Sequence, residues 1–171
     1  MAAQFSVNLI NLFDTPKEIH FGKWNSRPLV DVEWKKLKEA MTMQGIKSCS
    51  PEHMMPLIIS PRHVDPSCIE TNLNGYEGKM LVLSAEGERE VKKLQMAGGR
   101  HRLAAIKSIK EDKDKELLKL TDARDKLSKR KVSKPDAVAK KMEEYEKKIA
   151  VLEEEISKIG IWGVILYNEG K

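Results

Sequence analysis

Cysteine is nearly absent: the 171 residues hold two, Cys49 and Cys68, outside any CxxC spacing and with no histidine cluster beside them. That excludes a disulfide framework and a cysteine-based structural zinc site, and it suits a reducing, intracellular setting in the cytoplasm or nucleus. The amino-terminal run from Met1 to Ile10 has no basic start followed by a long apolar stretch, so it does not read as a signal peptide. No segment approaches the length of a membrane span, and no membrane partner is expected. One-sided charge is lacking too: 31 basic residues stand against 26 acidic ones, a net charge of +5 that permits a polyanionic partner without implying one. His20 and His63 have no paired metal-ligand spacing, and no metal site is expected from them. The length allows one well-buried core with an appendage rather than two full domains. The chain ends directly after an apolar, strand-like run, which suits an excised piece and a natural terminus equally.

What is present is concentrated in one run, Met96-Ala97-Gly98-Gly99-Arg100-His101-Arg102-Leu103-Ala104-Ala105. Adjacent glycines let the backbone pass close to a ligand with its N–H groups turned outward. A helix starting near Arg100 adds free amides and the positive end of its dipole to the charge of Arg100 and Arg102. An arginine fork contacts two phosphate oxygens, and a histidine donates one hydrogen bond or carries charge. The plain alternative is a strand-to-helix turn with a solvated basic edge.

Around this run the pattern is mixed. Phe5, Val7 and Leu9 alternate with polar residues, predicting a half-buried first strand. Residues 13 to 31 lack periodicity and read as a long loop over a site. Trp34, Leu37 and Met41 share a helical face, with Asp31 expected as the cap and Gly45 as the end. Pro56 to Pro61 and Met80 to Leu83 read as short buried strands, with residues 61 to 79 as a loop or hairpin rim that includes a turn at Asn72 to Gly75. Glu86-Gly87-Glu88 suggests a tight turn, and Ile161 to Tyr167 a closing strand. Short strands with intervening helices give the fold class α+β.

Residues 110 to 158 are a different kind of sequence. Val138, Met142, Tyr145, Ile149, Leu152, Ile156 and Ile159 recur at alternating four- and three-residue intervals, a heptad seam. Ile106, Ile109, Lys113, Leu117, Leu120, Arg124 and Leu127 form a weaker series whose Lys113 and Arg124 leave the partner face incomplete. Ser133 and Asp136 are spaced as a capping box, with Pro135 tolerated in the first turn. The pattern predicts an antiparallel coiled-coil hairpin inserted into a core of residues 1 to 109 plus 159 to 171, each arm reaching roughly 30 Å at about 1.5 Å per residue. Its basic tip, Lys126 to Lys134, is a candidate contact for DNA, and the coiled coil a surface for a protein partner or self-association.

The order of these segments resembles the ParB/sulfiredoxin superfamily over residues 5 to 109 plus 159 to 168. Asn25-Ser26-Arg27-Pro28 resembles its asparagine–proline–arginine box, and Ala97 to Ala105 its central phosphate box. The resemblance implies a mixed-sheet nucleotide-binding core. Its implied ligand is ATP or CTP, with Mg2+ bridging phosphate oxygens, held by Asn25, Arg27, Gly98, Gly99, Arg100, His101 and Arg102. Two letters depart from the family. Arg100 stands where sulfiredoxins carry the nucleophilic cysteine, and a guanidinium cannot replace a thiolate. Gly99 stands where the ParB box has its glutamate. Beside the first box, Trp24 is expected as a boundary core aromatic, with base stacking as the functional alternative. Glu18, Asp31 and Glu39 are candidate magnesium or acid–base groups.

The leading function is therefore a nucleoside-triphosphate-binding domain, with NTPase or phosphoryl-transfer chemistry open. One alternative is a DNA-binding or ParB-like nuclease module, against which no helix-turn-helix segment follows the core. The other is a noncatalytic interaction domain built on the hairpin.

Overall fold

The computed structural model describes residues 2–70, 78–130 and 133–170. Its strands are β1 (Ala3–Asn11), β2 (Glu18–His20), β3 (Met55–Ile58), β4 (Lys93–Met96) and β5 (Ile161–Asn168), and its helices α1 (Asp31–Gln44), α2 (Ala85–Glu90), α3 (Arg100–Ser128) and α4 (Pro135–Ile159). The strands form one sheet in the order β1-β5-β3-β4-β2. β1 runs antiparallel to β5 and β3 antiparallel to β4, whereas β5 with β3 and β4 with β2 are parallel. The fold is a mixed α+β arrangement. Contacts divide the chain into two compact units, Met1–Ala105 with Gly160–Lys171 and Ile106–Ile159, so the division falls four residues before the expected residue 110.

In the sheet unit, strand register decides which side chains meet. Met55, Leu57, Met96, Trp162, Val164 and Leu166 point to one face and are each 0% exposed. Burial on that scale contributes roughly 1.5–3 kcal/mol per large side chain, so this face is the core. Directly opposite Leu166 and Val164 on β1 lie Ser6 and Asn8, also fully buried. The expected alternation of Phe5, Val7 and Leu9 is thus corrected: β1 turns its polar residues inward, while Phe5 and Leu9 are half-buried. Hydrogen bonds make this tolerable. Ser6 Oγ donates to Asn8 Oδ1 at 2.7 Å and accepts the Glu70 N–H at 2.9 Å, and Asn8 Nδ2 donates to the carbonyls of Cys68 and Lys79 at 2.7 and 3.3 Å.

Other expectations are corrected by pairing that no local pattern reveals. Within the supposed loop of residues 13 to 31, Glu18–His20 adds to β4 as an edge strand. Met80 to Leu83 is no strand; Met80 makes a single bridge to Leu9 and Leu83 one to Val64. The turn at Glu86-Gly87-Glu88 is instead part of α2, begun by Ser84, whose Oγ accepts the Gly87 N–H at 3.0 Å. Gly87 is required there because a Cβ would overlap the His63 carbonyl. Asp31 is the first residue of α1 rather than its cap; Val30 holds that position, and Asp31 Oδ1 accepts from Trp34 Nε1 at 3.1 Å. Gly45 does end α1, at φ 84°. The turn expected at Asn72 to Gly75 lies outside the described residues.

The second unit is the helical hairpin. On α4 all seven seam residues are buried or half-buried, and every other residue of that helix is exposed. Lys113, 15 residues before the end of α3, reaches Glu155, 20 residues after the start of α4, at 2.8 Å, so the arms run antiparallel. The lysine expected to leave the seam incomplete is therefore partnered across it. Pro135 is the first residue of α4 and the Lys134 carbonyl accepts from Val138, so Ser133 lies one residue outside the cap position. Lys126, Lys129, Arg130 and Lys134 at the tip are exposed, while Lys131 and Val132 lie outside the described residues. Among the described residues no helix is long and apolar enough to cross a membrane.

Candidate functional site

The glycine–arginine run joins β4 to α3. Ala97 continues the strand by donating to the Pro56 carbonyl at 2.9 Å, and Gly98 then passes 3.3 Å from the Pro56 ring, measured from the Cβ it lacks. Gly99 has φ 95°, and a Cβ there would lie 2.6 Å from Met55 Sδ. Both backbone conformation and space demand glycine. The Gly99 carbonyl accepts the Leu103 N–H at 2.8 Å and opens α3. Gly99 has no side chain with which to cap the first amides of α3.

The cationic residues after it are already engaged. Arg100 donates from Nη1 to the Arg27 carbonyl at 2.8 Å and from Nη2 to those of Phe21 and Asn25 at 2.8 and 3.4 Å, with its guanidinium 5.3 Å from the Phe21 ring centre. It ties down the loop that carries the first box. His101 Nε2 lies 3.1 Å from the Val30 N–H and 3.3 Å from Glu33 Oε2. A single ring nitrogen either accepts from Val30, as the neutral imidazole does, or donates to Glu33 once protonated. Glu33 also meets Arg27 Nη2 at 3.9 Å. Arg102 donates to the Glu52 carbonyl at 3.2 Å, and partial burial lowers its pKa from the ordinary arginine value.

The structure therefore brings Asn25 and Arg27 together with Arg100, and Arg27 with His101 through Glu33. Sequence reasoning missed Phe21 and Glu33. Glu33 was visible as an acidic residue in the first turn of α1, but nothing local ties it to a histidine 68 residues later. The candidate acids lie elsewhere in contact terms: Glu18 pairs with Lys93 at 3.3 Å, Asp31 with Trp34, and Glu39 is exposed on α1. Cys68 is buried, with its thiol 3.2 Å from the Asp65 carbonyl, and Cys49 is exposed.

A cleft of about 1120 Å³ opens on the sheet face opposite the core. Register aligns Ile58, Gln95 and His20 in one row across β3, β4 and β2, and these three residues lie along the cleft. Lys23 and Trp24 line it on one side, Arg62 and His63 on another, so His20 and His63 share one cavity despite their sequence separation. Trp24 is 37% exposed with the Lys23 ammonium 5.0 Å from its ring, which makes it a cleft residue rather than the expected core aromatic. Lys23 also pairs with Glu169 at 2.8 Å.

Comparison of the chain with protein-family models, with curated proteins and with solved structures finds no match.

Proposed function

We propose that the chain is a nucleoside-triphosphate-binding domain of the ParB/sulfiredoxin type that receives the phosphates of ATP or CTP at Gly98 to Arg102. One observation carries this reading: Arg100 hydrogen-bonds the carbonyls of Asn25 and Arg27, joining two boxes more than 70 residues apart at the start of α3. Each residue then has a task. Gly98 and Gly99 keep the backbone bare, the first amides of α3 and Arg102 hold phosphate oxygens, and Arg100 holds the first-box loop in place. His101 contributes a donor when it leaves Val30. Arg27, paired with Glu33 only at 3.9 Å and in solvent, turns to the phosphates at little cost.

Mg2+ fits this site as a passenger rather than a resident. The carboxylate beside the turn is Glu33, which meets His101 at 3.3 Å and Arg27 at 3.9 Å. An ion that keeps most of its water and is held by phosphate oxygens needs no further protein ligand.

Calorimetric titration with the four nucleoside triphosphates, with and without Mg2+, tests the reading. One saturable site is expected, lost in Arg102→Ala while circular dichroism stays unchanged. Absence of binding by every nucleotide overturns it, and product analysis of the bound complex separates a switch from a phosphoryl-transfer enzyme.

A further inference from the structure

At the edge of the cleft, the short helical turn Pro61–His63 abuts α2, and His63 meets two glutamates to which no spacing in the sequence connects it. His63, Glu86 and Glu90 each offer one ligand atom, and these atoms lie within 4.8 Å of one another. We propose that this trio is a binding site for a first-row divalent cation, Zn2+ foremost, which displaces the Arg62 guanidinium when it binds.

The scaffold beneath the three residues is fixed. The His63 carbonyl accepts the Ser84 N–H at 2.9 Å, the Arg62 carbonyl accepts from Ser84 Oγ at 2.7 Å, and Val64 bridges to Leu83. Gly87 lets α2 approach closer than any side chain would allow. Glu86 and Glu90 are one helical turn apart on the same face of α2, so both carboxylates point toward His63. The imidazole is 15% exposed and the Glu90 side chain 46%, giving one confined nitrogen donor and a mobile oxygen donor beside it.

The donor distances suit closure around an ion. His63 Nε2 and Glu90 Oε2 are already 3.0 Å apart. Tetrahedral zinc, with bonds of about 2.0–2.2 Å, spaces its ligands about 3.3–3.6 Å from each other. The widest separation in the trio must shrink by roughly 1 Å, within reach of a rotamer change in an exposed glutamate.

A second observation points to a cation independently of that spacing. Arg62 already sits across the pair, with Nη1 3.4 Å from Glu86 Oε1 and Nη2 3.1 Å from Glu90 Oε2. Both carboxylates are thus arranged around one positive charge, and the group supplying it is an exposed arginine whose ion pairs are weak. A divalent ion takes the same place with shorter bonds and recruits His63, which the guanidinium does not use. One nitrogen and two oxygens leave a coordination position for water or a ligand. His63 and Arg62 both line the cleft, so that position lies at its rim.

The test uses the full chain after treatment with a chelator, titrated with Zn2+ by calorimetry and with Co2+ by visible absorption. One ion is expected, with the intense visible bands of a four-coordinate cobalt site. Glu90→Gln and His63→Ala should each weaken binding by at least about tenfold, a scale that even outer-shell partners of a metal reach. Arg62→Met should tighten it, because the competing cation is gone. Glu90 is exposed, so its variant keeps the test valid where His63→Ala fails to fold. Zinc binding that all three variants leave unchanged, weaker binding in Arg62→Met, or no saturable binding would each overturn the proposal. Nucleotide titration is a separate measurement, and its outcome leaves this one intact.

Discussion

The hairpin and the sheet unit are specified by different physics. In α4 every buried position is announced by a residue three or four places away, because a helix returns the chain to the same face at that interval. In the sheet unit the residues that matter are brought together from far apart: Ser6 meets Glu70, Arg100 meets Asn25, and His63 meets Glu90. One region is held by repetition and the other by individual long-range contacts. Single substitutions should therefore follow heptad position in the first and individual long-range contacts in the second.

The largest effect is expected at Gly99. Gly99→Val places a β-branched side chain at φ 95° and against Met55, so stability should fall by roughly 3 kcal/mol or more, read as the denaturation midpoint. Gly98→Ala, whose Cβ meets Pro56 at 3.3 Å without a positive φ, should cost much less. Equal losses at the two glycines would show that the turn is not held by the contacts described.

Next comes the buried amide on β1. Asn8→Leu fills a similar volume but removes the donor to the buried Cys68 carbonyl and the acceptor of the Ser6 hydroxyl, while the Lys79 carbonyl keeps the Leu9 N–H, a penalty of roughly 2–3 kcal/mol in chemical denaturation. The hairpin offers the matched control. Leu152→Ala should cost about 2 kcal/mol or more, while its neighbour Val151→Ala, at 58% exposure, should stay within about 0.5 kcal/mol. If Val151 proved as sensitive as Leu152, the seam would not be the packing face.

The same contrast explains what could be read in the sequence. The heptad seam, the ends of α1 at Gly45, and the apolar strands β3 and β5 were legible because local pattern and final burial agree. β2 was not, since one apolar residue, Ile19, carries no periodicity and the strand exists by pairing with β4. The inward turn of β1 was hidden because Ser6 and Asn8 look like solvent-facing letters until their partners at Cys68 and Glu70 are in place. At the glycine turn and the first-box loop, the sequence offered the seven residues without their geometry. Nothing in Gly-Gly-Arg says that Arg100 spends its donors on the carbonyls of a distant loop. The trio around His63 was illegible for the same reason, with its members 23 and 27 residues apart and on separate elements.

Arg100 and Arg102 should then separate in function. Arg100→Met removes the bonds that hold residues 21 to 27, so limited proteolysis of that loop should accelerate severalfold, whereas Arg102→Met should leave the loop protected. Identical cleavage rates would remove the distinction between the arginine that holds this loop and the one that bonds Glu52.

The smallest effect tests long-range contact against local capping. Asp65 accepts from both the N–H and the hydroxyl of Ser67, and these bonds hold its carboxyl below the ordinary aspartate value. A depressed folded-state pKa stabilises the protein above the unfolded-state value, and that contribution is lost as pH falls through the lowered one. The melting temperature of Asp65→Ala should therefore lie slightly below that of the parent at neutral pH, and the two should converge in acid. Because the carboxylate is exposed and its partner lies two residues away, the difference should be far smaller than at Asn8, whose partners are 60 and 71 residues distant and the first of them buried with it. A gap that persists at the acid end would assign the effect to the lost side chain's packing rather than to its charge.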